Sequence, residues 1–148
     1  MIKKIENMTL KQLTIFLENK SGRLTEVLEA LGNEKINITA LSIADTSEFG
    51  LLRMIVSEPE KACEVLKSDG FTVKLAEVLL IKTPAEAGSF AKAMRIFSDE
   101  GLSIEYLYGF SANEKAMIIL RTEDTAKALA AITKHKMKLL RASDLFEF

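Results

Sequence analysis

The sequence predicts an α+β protein built from two copies of one βαββαβ unit. Three observations carry this. Gly22 and Gly88, each following a strand-like run, stand 66 residues apart (88 − 22). At that offset Leu24, Val27, Leu28 and Leu31 fall on Phe90, Ala93, Met94 and Phe97, both sets spaced as one helical stripe. "EKINITAL" from Glu34 then aligns without gaps with "EGLSIEYL" from Glu100. Self-similarity of this kind marks a duplicated structural unit. Further on, Ser57-Glu58 is set against Thr122-Glu123, an offset of 65 (122 − 57), so one residue is lost from the hairpin, where indels are tolerated.

The elements follow in order. "QLTIFL" alternates and puts Leu13, Ile15 and Leu17 on one strand face. A helix is expected from about Arg23 to Glu34. "INITALSIA" is a strand rich in β-branched residues, "DTSEFG" a turn, and "LLRMIV" a third strand. "SEPEKACEVLKSDG" reads as a helix: Ser57-x-x-Glu60 has the form of a capping box, Pro59 suits the first turn, and Gly70 is a stop. "FTVK" closes the unit. The second unit repeats the plan with "VLLIK", a helix over Gly88–Glu100, "LSIEYLYGF", "KAMIILR", a helix over Glu123–Lys134, and "MKLLRASDLF". At the first helix ends, Gly101 suits a left-handed cap, whereas Lys35 stands in its place in the first unit and predicts strain there or a shift to Asn33.

This order builds a split-βαβ, ferredoxin-like sandwich: four antiparallel strands with two helices on one face. The expected boundaries are an N-terminal extension at 1–10, one unit at 11–75 and a second at 76–148. A unit of about 70 residues has a marginal core. The joint Leu75-Ala76-Glu77 contains no Gly, Pro or Ser. The two units are therefore expected to pack as a pair, sheets joined side by side to cover edge strands.

The bulk numbers exclude several function classes. The chain has 148 residues, 48% hydrophobic and 28% charged, with net charge −1. That is outside the disordered range and offers no basic surplus for a nucleic-acid backbone. Cys63 is the one cysteine, so no intrachain disulfide forms; it sits among the apolar positions of a helix, as a buried hydrophobe does. No apolar run reaches the ~18 residues of a membrane span. "MIKKIENMTLK" lacks the apolar region and cleavage site of a signal peptide, and a cytoplasmic protein is expected. His135, the one histidine, lies with Lys134, Lys136 and Lys138 near a helix end, where cations are favoured. No nucleophile–base pair or converging carboxylates stand out, so no catalytic residue, metal set or cofactor is assigned.

The stretch "LENKSGRLTEVLEAL" is where chemistry is expected. A helix leaves its first backbone N–H groups unpaired and carries partial positive charge there. Gly22 permits close approach of the main chain, which suits a small anion such as a carboxylate. Asn19 and Ser21 can add hydrogen bonds, and Asn37, expected near the turn, can accept from an ammonium group. Carboxylate and ammonium contacts side by side describe a free α-amino acid. The alternative is a helix start that binds nothing.

The unit order, "ENKSGRL" at the first turn and "INI" eighteen residues after Asn19 together resemble the ACT domain, a small-molecule regulatory module of amino-acid metabolism. "LENKSGRLTEVLEAL…INITALSIADTSEFGLLRMIV" is similar to the small tandem-ACT proteins, and the resemblance covers about Lys11 to Leu145. It implies a non-catalytic sensor that holds a free amino acid where ACT domains meet. The serine-sensing ACT domain of phosphoglycerate dehydrogenase contacts ligand through two asparagines whose positions match Asn19 and Asn37. The implied ligand set is Asn19, Lys20, Ser21, Gly22, Arg23, Leu24, Asn37 and Ile38. The family turn commonly reads Asp-x-Pro-Gly or Asn-x-Pro-Gly; here Ser21 replaces the proline.

The second turn, "PAEAGSF", keeps Gly88 but has Ala85 and Ala87 at family Asp/Asn and Pro positions, and Ser103 replaces the matching Asn. Glu86, Ala87, Gly88 and Ser103 therefore form a degenerate pocket or pack against the first. Arg53 is either a sheet-face arginine paired with Asp45 or a charge meeting a ligand carboxylate. Tyr106, Tyr108 and Phe110 form an aromatic strand face, for packing, a pocket wall or base stacking. RNA-recognition motifs share the βαββαβ order, but "GLLRMIVSE" lacks their aromatics, and no Cys-x-x-Cys supports metal transfer. The expected partners are a free amino acid and a second copy of the chain, with no nucleic acid and no membrane. The alternative is a regulatory subunit bound to a catalytic chain, like the small subunit of acetolactate synthase.

Overall fold

A computed structural model describes residues 8–18, 20–45 and 48–147. The chain divides into two compact units, Lys11–Ala76 and the part from Glu77 onward, which takes in residues 8–10. In the first unit, β1 (Leu10–Glu18), α1 (Arg23–Asn33), β2 (Ile38–Asp45), β3 (Phe49–Val56), α2 (Pro59–Ser68) and the start of β4 (Thr72–Pro84) follow the predicted order. The strands lie β2-β3-β1-β4. In the second unit the remainder of β4 is followed by α3 (Ser89–Asp99), β5 (Ile104–Ala112), β6 (Lys115–Thr122), α4 (Thr125–Lys134), β7 (Lys138–Leu140) and a 3₁₀ turn, Ala142–Glu147. Its strands lie β5-β6-β4-β7. Both orders are those of a ferredoxin-like unit, and the pairs β1–β3, β2–β3, β4–β6, β4–β7 and β5–β6 run antiparallel.

Each unit has its own core, made by the strand residues that face the helices. In the first these are Leu13, Ile15, Leu17, Leu52, Met54 and Val56 against Val27, Leu31, Cys63 and Leu66. In the second they are Leu79, Ile81, Ile118 and Leu120 against Ala93, Phe97, Ala128 and Ile132, with Met8 partly buried on the same cluster. The alternation read in "QLTIFL" is thus the core face of β1.

Four expectations are corrected. The repeat offset stays at 66 throughout: Ile38 opposes Val56 as Ile104 opposes Thr122, and Asp45 opposes Gly50 as Ser111 opposes Ala116. No residue is lost from the hairpin. Ser57 does not cap α2; its N-cap is Glu58, and the Ser57 hydroxyl instead accepts from the Asn37 N–H at 3.0 Å. In α4 the equivalent N-cap, Asp124, does cap, accepting from the Lys127 N–H at 3.0 Å. "FTVK" and "VLLIK" belong to one 13-residue strand, since nothing between them breaks an extended backbone. The last predicted strand shortens to three residues, because the Asp144 carboxylate accepts from the Arg141 N–H at 2.8 Å and turns the chain.

All four helices end alike. Residues 35, 70, 101 and 136 have positive φ, and each following amide donates back into the last turn, as from Ile36 to Leu31 and from Leu102 to Phe97. This is the Schellman closure, which favours glycine. Glycine occupies it at Gly70 and Gly101, whereas Lys35 and Lys136 adopt it at φ 58° and 53°. The strain expected at Lys35 is there, and Asn33 remains helical. One β-bulge per repeat, between Ile38 and Ala40 and between Ile104 and Tyr106, sets which residues of the edge strands β2 and β5 face the helices.

Candidate functional site

The first turn is closed by its own backbone. The Lys20 N–H donates to the Glu18 carbonyl at 2.7 Å, and the Arg23 N–H donates to the Lys20 carbonyl at 3.3 Å. Gly22 is the N-cap of α1 at φ 88°, ψ −11°, a left-handed conformation that only glycine adopts without strain. A glycine cap brings no hydroxyl or carboxylate of its own to the first-turn amides. Asn19 lies outside the described residues.

A pocket of about 220 Å³ opens beside this turn, lined by Leu17, Glu18, Lys20, Arg23, Leu24, Ile43 and Gly50. One wall is apolar, from Leu17, Leu24 and Ile43. The other carries both signs of charge. Lys20 reaches Glu18 at 2.9 Å, and Arg23 reaches Glu18 at 3.6 Å and Glu26 at 2.9 Å while lying 5.2 Å from the Phe71 ring centroid. The hydrogen bond and charge of Lys20, then Arg23, hold the Glu18 carboxyl below the usual range. Glu26, followed by Glu18, raises the Arg23 guanidinium further. Of the expected ligand set, Lys20, Arg23 and Leu24 line this pocket and Ser21 and Gly22 do not, whereas Leu17, Glu18, Ile43 and Gly50, absent from that set, do. Register was the hidden signal: the bulge in β2 turns Ile43 toward the helices, opposite Leu52, and Gly50 pairs with Leu17.

Asn37 and Ile38 do not join this pocket within the unit. Asn37 is held by Ser57 at the far end of β3, whereas the turn adjoins Phe49. Eight residues of strand separate the two ends by roughly 26 Å. The expectation that Asn37 lies near the turn is therefore corrected: antiparallel β3 carries the two features to opposite ends. Ile38 packs on the first core. Arg53 sits opposite Thr14 and Ser42, on the sheet face away from the helices and so away from the pocket. The register sets Asp45 opposite Gly50 rather than Arg53.

The second turn keeps the backbone but not the same space: the pocket beside it, about 360 Å³, is lined among others by Thr83, Pro84, Glu86 and Ser89, and neither Phe90 nor Gly109 lines it. Gly88 caps α3 at φ 88°, ψ −9°, the Ser89 N–H donates to the Glu86 carbonyl, and Ala87 is exposed. Ser103 holds the place of Asn37, its N–H 3.4 Å from a Glu123 carboxylate oxygen. Where the first unit has Leu24 and Ile43, the second has Phe90 and Gly109. The Phe90 ring lies over Gly109, 3.4 Å from where a Cβ would stand. Ala116, which is buried, stands at the position equivalent to Gly50. Tyr106, Tyr108 and Phe110 face away from the helices, opposite Arg121, Ile119 and Met117. Among the described residues no helix is long and apolar enough to cross a membrane, and no group of three metal-ligating side chains occurs.

Comparison with known proteins gives a consistent picture. The family model for an ACT domain pair matches residues 8–148. The solved structure of protein BT0572 from Bacteroides thetaiotaomicron is 46% identical, with 95% of this chain and 98% of that one covered and a TM-score of 0.91. The regulatory subunits of aspartate kinase from Thermus thermophilus and Thermus flavus are each 17% identical, with TM-scores of 0.65 and 0.61, covering 86% of this chain and 93% and 92% of theirs; they share the fold. Comparison with curated proteins gives no match. The chain is therefore a member of the ACT family, built as a tandem ACT domain pair.

Proposed function

We propose that this ACT pair is a non-catalytic, cytoplasmic amino-acid sensor whose ligand docks at the first turn, Lys20 to Leu24. The observation that carries the reading is the pocket itself. It offers cations (Lys20, Arg23) to a carboxylate, an acid (Glu18) to an ammonium, and an apolar wall (Leu17, Leu24, Ile43) to a side chain. A free α-amino acid presents those three features together. The apolar wall selects an aliphatic side chain, since leaving a polar group there unbonded costs about 1–3 kcal/mol. A volume near 220 Å³ lies below that of drug-sized sites and suits a small metabolite. Asn37 and Ser103 would reach a ligand only across a contact with another ACT domain, as in a homodimer. At the second turn Phe90 covers Gly109, where the first unit has the open wall of Leu24 and Ile43.

The test is a thermal-shift screen of the twenty amino acids, followed by calorimetry. A ligand at 100 times its dissociation constant adds about 2.7 kcal/mol, a rise of several degrees for a chain this size. Aliphatic amino acids are expected to give the largest shifts. A screen in which nothing raises Tm by ~2 °C at millimolar concentration ends the sensor reading.

One observation favours a second reading, a regulatory subunit of an enzyme of amino-acid metabolism. The edge strands β2 and β5 expose Leu41, Ile43 and Leu107 on their helix-facing sides. Exposed apolar edges invite pairing with another chain. A stable complex with a large enzyme at micromolar concentration would establish that role; a homodimer alone on size-exclusion chromatography would speak against it.

A further inference from the structure

We propose a second ligand site, for a compact polyanion, on the helix-free face of the second unit. A pocket of about 410 Å³ lies there, lined by Lys82, Ala112, Asn113, Lys115, Lys138, Leu140 and Asp144. Lys82 and Lys138 are direct cross-strand partners between β4 and β7. Directly opposed residues have Cβ atoms about 5 Å apart, and like charges so placed destabilise a sheet. Lys115 opposes Pro84, two residues along β4 from Lys82, on the same face. Among the described residues none of the three lysines has an ion pair. The one acid in the wall, Asp144, accepts from the Arg141 N–H. Positive charge is left in excess around a cavity the size of a metabolite site.

The internal repeat provides the control. At the offset of 66, Lys82, Lys115 and Lys138 correspond to Phe16, Phe49 and Thr72 of the first unit. There the same three sheet positions carry two phenylalanines and a threonine, none of them charged, with Phe16 42% and Phe49 51% exposed. The scaffold itself does not require lysine at these positions. Edge protection, a common use of strand lysines, accounts for Lys138 on the outer strand β7. It does not account for Lys82, which sits on β4 between β6 and β7. A bound polyanion removes the repulsion among all three. The shared chemistry is that of a di- or triphosphate or a tricarboxylate: several negative charges within a few ångströms, bridging ammonium groups.

The test is calorimetry of the full chain with tripolyphosphate and with citrate at low and at physiological salt. The triple variant Lys82→Thr, Lys115→Thr, Lys138→Thr is compared with a control triple variant at Lys61, Lys67 and Lys74. Binding is expected to fall at least 100-fold in the first and less than threefold in the control, and to weaken as salt rises. Without ligand, Lys138→Thr is expected to leave Tm unchanged or higher, because it relieves repulsion; lysines present only for the fold would lower it. Tighter binding of tripolyphosphate assigns the site to phosphates, and tighter binding of citrate to carboxylates. No binding of either at 1 mM, or equal loss in both triple variants, overturns the proposal.

Discussion

Gly22 and Gly88 provide a matched pair that separates the fold from the site. They share φ 88°, and their ψ values are −11° and −9°. A Cβ built on either meets no atom within 4 Å. Replacing each with alanine therefore introduces no clash; it adds only the strain of a side chain in the left-handed region, about 1 kcal/mol. For a chain of this length that is a fall of roughly 2–4 °C in Tm. The two changes are expected to be equal in stability, measured by urea unfolding, within a few tenths of a kcal/mol. Their effects on the aliphatic amino acid found by the screen should differ. In Gly22→Ala the turn relaxes and moves the first-turn amides beside the open pocket, so affinity drops about tenfold or more. Gly88→Ala alters the other unit's turn, none of whose residues line the first pocket, and affinity stays within twofold. Equal loss of affinity in both variants would refute the assignment of the site to the first turn. A large difference in stability would refute the claim that the two turns are physically equivalent.

Three further predictions follow from the same geometry. Gly50→Ala places a methyl at the pocket wall in ordinary contact, 3.5 Å from the Ile43 Cδ1 atom; it should leave stability unchanged or raise it by up to about 1 kcal/mol while weakening ligand binding in calorimetry. At the helix ends, Gly70→Ala should destabilise and Lys35→Gly stabilise by about 1 kcal/mol each, because both positions require positive φ and Gly70 has open space around it. In acid, three carboxyls sit below their ordinary range: Glu18 through Lys20 and Arg23, Glu60 through Lys11, and Glu100 through Lys134 and His135. A lowered folded-state value contributes stability that is present above the unfolded value and lost as pH falls through the folded one. The urea midpoint should thus decline below about pH 5, and Glu100→Gln should make that decline shallower.

The amino-acid sequence by itself determined the duplication, the element types and both cores. These rest on periodicities that a local stretch carries alone: the alternation in "QLTIFL", the stripe from Leu24 to Leu31, and the paired glycines before each helix. It also pointed to Lys20–Leu24, because a helix start after a glycine is a local feature. Tertiary structure decided what depends on register. The bulge after Ile38 turned Ile43 into the pocket, antiparallel β3 carried Asn37 to the other end of the unit, and a phenylalanine over a glycine reshaped the space beside the second turn. No window of sequence reports these outcomes, because a strand residue's surroundings come from its neighbours across the sheet, and those are set by pairing between segments far apart in the chain.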